Sequence, residues 1–347
     1  MTARRAHRNA LRSVPYHSQR GAALLVALLI AALVTVTVTQ MLQRQSALAG
    51  IEWQLRETAQ AKRILLGAED WAQQILRQDA RRSANDHLGE PWRIALKEGR
   101  LADFLKATPE AAAFADLDNS RVQDVWLSGQ IVDADARYNL MRLSLAGAAL
   151  PQERALWLRV AAQAGLPEDI AQAVAQLYMP PAPQVQSAGK DAPPPLQQPQ
   201  QPPLSLTHLA AQLPALTPWL APLSALVVVL PDTTTINVNT APKPVLMALI
   251  RGLDDKQAER FMDLRLKAPW RDVNAIAAAF PEHALTVDAT QAGVVSRFFI
   301  VSARVRLGEK GTTDTRGSTE LALTTTVERI ALEARTRVVR REFGAAL

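Results

Sequence analysis

The sequence of 347 residues contains no cysteine. That excludes disulfides, thiolate catalysis and cysteine-ligated zinc at once, and leaves the compartment open. Aromatic residues make up only 5% of the chain, while alanine and leucine are abundant, a balance that favours helix. The histidines, His7, His17, His87, His208 and His283, form no H-E-x-x-H pair, and neither a phosphate-cradling glycine loop nor a G-x-S-x-G turn is present. Asp133 and Asp135 make a D-x-D, read as two close acids solvated in a turn. No catalytic constellation emerges, so the expectation is a protein that is not an enzyme and carries no cofactor. Acidic residues are missing from the N-terminal part: the first is Glu52, whereas Arg4, Arg5, Arg8, Arg12 and Arg20 come before it. Charge of either sign is missing from Gly21 to Gln43.

That uncharged run is long enough to cross a bilayer, since about 20 apolar residues span the ~30 Å hydrocarbon core as a helix. A secretory signal has a shorter apolar region, about 7 to 15 residues, and a small-x-small cleavage site beyond it, and none stands out here. The basic residues ahead of the run predict a cytoplasmic N-terminus. Thr35, Thr37 and Thr39 within it can bond back to their own helix. Beyond the run, Leu48, Ile51, Leu55, Ala59, Leu65 or Leu66, Ala72 and Ile75 recur at helical spacing and predict an amphipathic helix. No proline separates the two parts, so one helix is expected from about Ala22 to Leu76, apolar all round at first and then lying on a domain.

Strand signals come early and late. VWLSGQI (125–131) alternates, with Val125, Leu127, Gly129 and Ile131 on one face. Phe299, Val301, Ala303, Val305 and Leu307 alternate, as do Leu321, Leu323, Thr325 and Val327, and TRVVRREF closes the set. The glycine-rich GEKGTTDTRG supplies a turn. These suit an antiparallel sheet with one wet face. Between them the pattern is helical: QERALWLRVAAQAGL, EDIAQAVAQLYM, SLTHLAAQL, PKPVLMALIRGL, DKQAERFMDLRL and VNAIAAAF. A helical domain inserted between pairing strands explains this order. Residues 180–203, with nine prolines, read as an extended or disordered loop on it.

A basic leader ending in Gly21, followed by an apolar half-helix continuous with an amphipathic half, resembles the class III signal of type IV pilins and type II secretion pseudopilins. The resemblance implies cleavage by a prepilin peptidase between Gly21 and Ala22, with methylation of the new N-terminus. Most members of that family carry Glu at the fifth position after the glycine, where this chain has Val26. The carboxylate neutralises a neighbour's N-terminal amine in an apolar filament core. A subunit with no neighbour above it has no amine to neutralise, so Val26 points to the filament tip.

Two further motifs sharpen this. Ser128, Gly129, Ile131, Asp133, Arg137, Tyr138, Asn139 and Leu140 within LSGQIVDADARYNLMRL, and Ile236 to Ala241 (INVNTA), including Asn237, Asn239 and Thr240, resemble stretches of the K subunit of type II secretion systems, the large minor pseudopilin. From the residues alone, Asn237, Asn239 and Thr240 cap backbone at the end of an extended segment, Pro242 and Pro244 suit a first helical turn, and Asp133 and Asn139 hold the crossing from sheet to helical block.

The resemblance implies an α+β fold: a long N-terminal transmembrane and amphipathic helix, a pilin-like antiparallel sheet and a large inserted all-helical domain. The expected organisation is a cytoplasmic leader over 1–21, a transmembrane half-helix over 22–43, a first part of the pseudopilin domain over 44–139, the inserted helical domain over 140–293, and the remaining strands over 294–347. It further implies a single-pass protein of the bacterial inner membrane with its C-terminal domain in the periplasm. The implied partners are the I and J minor pseudopilins, then H, the major pseudopilin G, the prepilin peptidase and the inner-membrane secretion platform. Relatives carry an Asp-rich run that binds calcium. The corresponding AQLYMPPAPQVQSAGKD has only Asp191, so the ligand segment of the relatives is not matched here.

INVNTA before two short helices also resembles a helix-hairpin-helix unit, which gives the alternative of a single-pass membrane protein binding DNA during uptake. Its turn, RGLDDKQ, sets Asp254 and Asp255 after Gly252. Two acids facing a phosphate repel it, which favours a shared fold without nucleic-acid binding.

Overall fold

The computed structural model describes residues 20–107, 125–145, 147, 149–179, 201–281, 285–308 and 319–344. The leader up to residue 19, most of the proline-rich stretch and of the GEKGTTDTRG turn, and Asp191 lie outside the described residues. The chain divides into two units, Met1–Thr58 and Ala59–Leu347.

Helix α1 runs over Arg20–Ala80, close to the span expected from its unbroken periodicity. In the first unit, Ala23–Gln45 is long and apolar enough to cross a membrane and none of it is buried. Thr35, Thr37 and Thr39 donate their hydroxyls to the carbonyls of Ala31, Leu33 and Thr35 at 2.7–2.8 Å, which hides polar atoms inside an apolar helix. Ile51 and Leu55 of the expected stripe are exposed.

In the second unit, Ala61, Leu65, Ala72 and Leu76 of α1 are buried under a sheet. The chain then forms β1 (Leu96–Arg100) and α2 (Leu101–Ala107), β2 (Val125–Asp133) and the short β3 (Tyr138–Asn139). The helices α3 (Ala149–Gln163), α4 (Glu168–Tyr178), α5 (Leu206–Gln212) and α6 (Leu220–Leu226) follow. After β4 (Val227–Val228) and β5 (Ile236–Asn237) come α7 (Lys243–Leu249), α8 (Asp255–Lys267), α9 (Ala275–Ala279) and β6 (Ala292–Gly293). The chain closes with β7 (Phe298–Leu307), β8 (Thr319–Ile330) and β9 (Arg335–Gly344).

The sheet has the order β1-β2-β7-β8-β9, and every neighbour pair is antiparallel. The helices therefore lie, in chain order, between β2 and β7, strands that pair over their whole length from Val125↔Leu307 to Asp133↔Phe299. This is a pilin-like sheet carrying a large helical insertion. Strand β1 had no signal in the sequence: LKEGR lies at the sheet edge, mostly exposed, so it needs no apolar alternation. Gly129 stands opposite Ala303, and a Cβ there would meet the Ser302 carbonyl at 3.0 Å, which accounts for the glycine inside a strand.

One face of the sheet meets α1. Leu65 packs with Val125, Val305 and Leu323, and Leu76 with Ile131, Val301 and Val327. Trp92 closes the end of this core edge-on to Phe299, ring centres 5.4 Å apart. The helical insertion has its own larger core, where Tyr138 stacks on Trp157 and Phe261 stacks between Trp270 and Phe280. Two pairs of short parallel strands, β3 with β4 and β5 with β6, run through the otherwise helical block.

Candidate functional site

The two sequence motifs meet where the sheet passes into the helical insertion. The alternation that buries Val125, Leu127 and Ile131 continues to Asp133 and puts that carboxylate on the covered face at the end of β2. Asp133 Oδ1 accepts from the Asp135 amide at 2.8 Å. Its Oδ2 accepts from Asn237 Nδ2 (3.1 Å), Ser296 Oγ (2.6 Å) and the Thr240 hydroxyl. Asp135 is buried too, and its Oδ2 accepts from the amides of Arg297 (2.6 Å) and Phe298 (3.1 Å). Asp135 does lie in a turn, but the expectation that the two acids are solvated was wrong. The parity of β2 continues through Asp133, and the amides opening β7 close over Asp135. Burial is the main cause that pushes Asp133 up to about 6, and burial with the neighbouring Asp133 pushes Asp135 up to about 7.

Each asparagine of the motifs satisfies backbone. Asn139 caps the following turn by accepting from the Met141 amide (3.1 Å), also accepts from Leu230, and donates to the Asp232 carbonyl. Asn237 Oδ1 accepts from the Asn239 amide at 3.0 Å, while its Nδ2 reaches Asp133, Ser296 and the Asp86 carbonyl. Asn239 clasps the backbone of Trp270 with both side-chain atoms, at 3.0 and 2.8 Å. Pro242 is the N-cap of α7, with Pro244 in its first turn. Arg137 donates to the Ser224 carbonyl at 3.0 Å. Gly21 and Ala22 lie in the first turn of α1, and Val26 is exposed further along it.

Sequence reasoning missed the ionic half of this junction. Arg329, near the end of β8, donates to Asp79 at the end of α1 and to Asp86, and stacks over Phe299 at 4.8 Å. Burial, then the nearby Glu90, pushes Asp79 up to about 6. A second ion pair locks the helical block: Arg142 forks onto Glu153 and also donates to the carbonyls of Thr234 and Thr290 at 2.6 and 2.8 Å. No local signal marks these pairs, because Arg329 and Asp79 are 250 residues apart.

Asp79, Asp86 and Glu90 bring ligand atoms within 4.8 Å of one another, the sort of oxygen set a cation takes. The Arg329 guanidinium already donates to two of the three, so their charge is balanced in part from within the protein. The segment corresponding to the calcium run of relatives is described only to Met179, and Ala175–Met179 holds no carboxylate. At the hairpin between α7 and α8, Gly252 turns at φ +84° and Asp254 caps α8 in a capping box with Gln257. A carboxylate therefore occupies the helix N-terminus that a DNA phosphate requires. The clustered acids bond amides, hydroxyls and guanidinium groups. This arrangement fastens elements together, and no catalytic constellation is evident among the described residues.

Comparison with known proteins agrees with the geometry. The family model described as type II secretion system protein K matches residues 236–295, the segment from the Asn-Val-Asn-Thr turn to β6. The type II secretion system protein K of Pseudomonas aeruginosa is 26% identical over 353 residues, covering 94% of this chain and 93% of that protein. A solved complex of GspK, GspI and GspJ from the type 2 secretion system of enterotoxigenic Escherichia coli contains a chain of the same fold. Its TM-score is 0.59 at 19% identity, over 84% of this chain and 98% of that one. With the helical insertion between β2 and β7 and both motifs at its root, the chain is similar to protein K of type II secretion systems over nearly its whole length.

Proposed function

We propose that this protein works by assembly, as the minor pseudopilin at the tip of a type II secretion pseudopilus, where it joins the I and J minor pseudopilins to initiate the filament and support protein export across the outer membrane. The observation that carries this reading is α1. It is one helix whose Ala23–Gln45 stretch is apolar and exposed, and whose Ala61–Leu76 stretch is the buried spine of the sheet. None of the apolar stretch is buried among the described residues, so its chemistry suits first a bilayer and then the apolar helices of neighbouring subunits. The Escherichia coli neighbour is a complex of its K protein with I and J proteins, which supports the same partners here. H, the major pseudopilin G and the inner-membrane platform follow as later partners.

In this reading the chain sits in the inner membrane with its basic N-terminus in the cytoplasm and its folded part in the periplasm. The peptidase cuts between Gly21 and Ala22. Val26 leaves no carboxylate in the apolar helix, which fits a subunit with none above it, since an unpaired buried carboxylate is costly. The helical insertion blocks docking from above. The test is the N-terminal mass of the protein purified from its native membrane, with and without prepilin peptidase. A mature chain beginning at Ala22 only when the peptidase is present is the expected result. A chain beginning at Met1, or cut beyond the apolar run, overturns the reading.

A further inference from the structure

Among the described residues three arginines are almost wholly buried: Arg142, Arg265 and Arg329. Arg142 is paired with Glu153, and Arg329 with Asp79 and Asp86. Arg265 has no carboxylate partner among the described residues. Its Nη1 donates to the carbonyls of Val238 and Ala241 at 2.8 and 2.7 Å, and its Nε has no partner. Burial lowers its pKa to about 10. A buried cation without a counter-ion is costly, and two neutral carbonyls do not explain why the position should carry a full charge.

Arg265 lines a cleft of about 440 Å³ at the root of the helical insertion. Arg93 and Arg137 line it as well. Arg137 is half-buried, donates to one carbonyl, and has its pKa lowered by burial. Arg93 is exposed, and its guanidinium has no partner among the described residues. Asp133 is the one acid among the lining residues, and both of its oxygens are already engaged by donors of the protein. Three arginines therefore line one cleft whose single carboxylate is already engaged by donors of the protein, although its charge still favours the Arg137 cation.

We propose that this cleft, walled by the end of β2, the Asn-Val-Asn-Thr turn and α8, is an oxyanion site in which Arg93, Arg137 and Arg265 hold a carboxylate or phosphate group. Guanidinium forks match the geometry of such groups, and an anion offsets the desolvation of the two more buried arginines. The oxyanion comes from one of two sources, a free small anion or an acidic side chain presented by a protein. The site does not depend on the assembly role proposed above.

The test is calorimetric titration of the full chain in detergent micelles with inorganic phosphate, citrate and a triglutamate peptide, at constant ionic strength against sodium chloride. Saturable binding of at least one probe is expected. Arg93→Gln and Arg137→Gln should each weaken it about tenfold, the scale of one charge-assisted hydrogen bond. Arg93→Gln removes an exposed side chain without partners, so its unfolding midpoint without ligand should equal that of the native chain. Binding of phosphate or citrate alone identifies a free anion, binding of triglutamate alone a protein carboxylate, and binding of all three a site selective for charge. The proposal is overturned if no probe binds more than chloride does, or if neither substitution changes the affinity.

Discussion

Asp133, the last residue of β2, and Asp135, in the turn that follows, share one fate, burial, for different reasons. Asp133 is held by Asn237 and Thr240 of the second motif and by Ser296, Asp135 by the amides that open β7. Burial raises both in the folded state, to about 6 and about 7, above their usual 3.8. The folded state therefore binds more protons than the unfolded chain between those values. The stability these groups contribute is fully present below pH 3.8 and is lost as pH rises through about 7. Asp135→Asn should lose less stability than the native chain between pH 4 and about 7.5, as read from urea midpoints across that range. Equal pH slopes for the two proteins would contradict the assignment. The Arg142–Glu153 pair behaves differently, because it lies in a closed core with both partners forked together. Arg142→Met leaves Glu153 buried and unpaired and should cost about 3–5 kcal/mol, whereas replacing both with apolar residues should restore much of that loss. Chemical unfolding of the single and double variants measures the difference.

At the scale of elements, α1 divides its own stripe. Leu65 is fully buried beneath the sheet, so Leu65→Ala should cost about 2–5 kcal/mol. Leu55 has the same spacing but is 65% exposed, and Leu55→Ala should stay within about 0.5 kcal/mol. Denaturation midpoints of the two variants check this contrast. Assembly, in contrast, should depend on Leu55, since its exposed face is available to a neighbouring helix. The β8–β9 connection holds another element-scale feature. Ala334 has φ +46° and ψ +42°, the left-handed region, which costs a non-glycine residue roughly 1–2 kcal/mol. Ala334→Gly should stabilise the protein by about 0.5–1 kcal/mol after the greater freedom of glycine in the unfolded chain is counted. A lower melting temperature for that variant would show that the turn is not strained.

At the scale of the whole molecule, the insertion between β2 and β7 gives the protein its bulk without disturbing the pairing of those strands. Deleting about residues 143–292 should leave a sheet-forming chain whose proposed cleavage site is intact, because the apolar run and Gly21 are untouched. If the insertion caps the filament, cross-linking should then find subunits beyond this one, a contact absent with the intact chain. Failure to find any would remove the steric part of the proposal and leave the assembly role standing.

The sequence by itself determined what depends on local periodicity and composition. The unbroken run from about Ala22 dictates a single helix, the alternation of 125–131 and 299–307 dictates strands, and the helical stretches between them dictate an insertion. The asparagines of INVNTA were legible as backbone caps because Asx side chains act within a few residues of themselves. Only the tertiary structure decided the edge strand β1, the burial of Asp133 and Asp135, and the pairing of Arg329 with Asp79 across 250 residues. The reason is physical. A periodic pattern records which face of an element avoids water, whereas the partner of a buried charge is set by which elements the chain brings together, and no local spacing carries that.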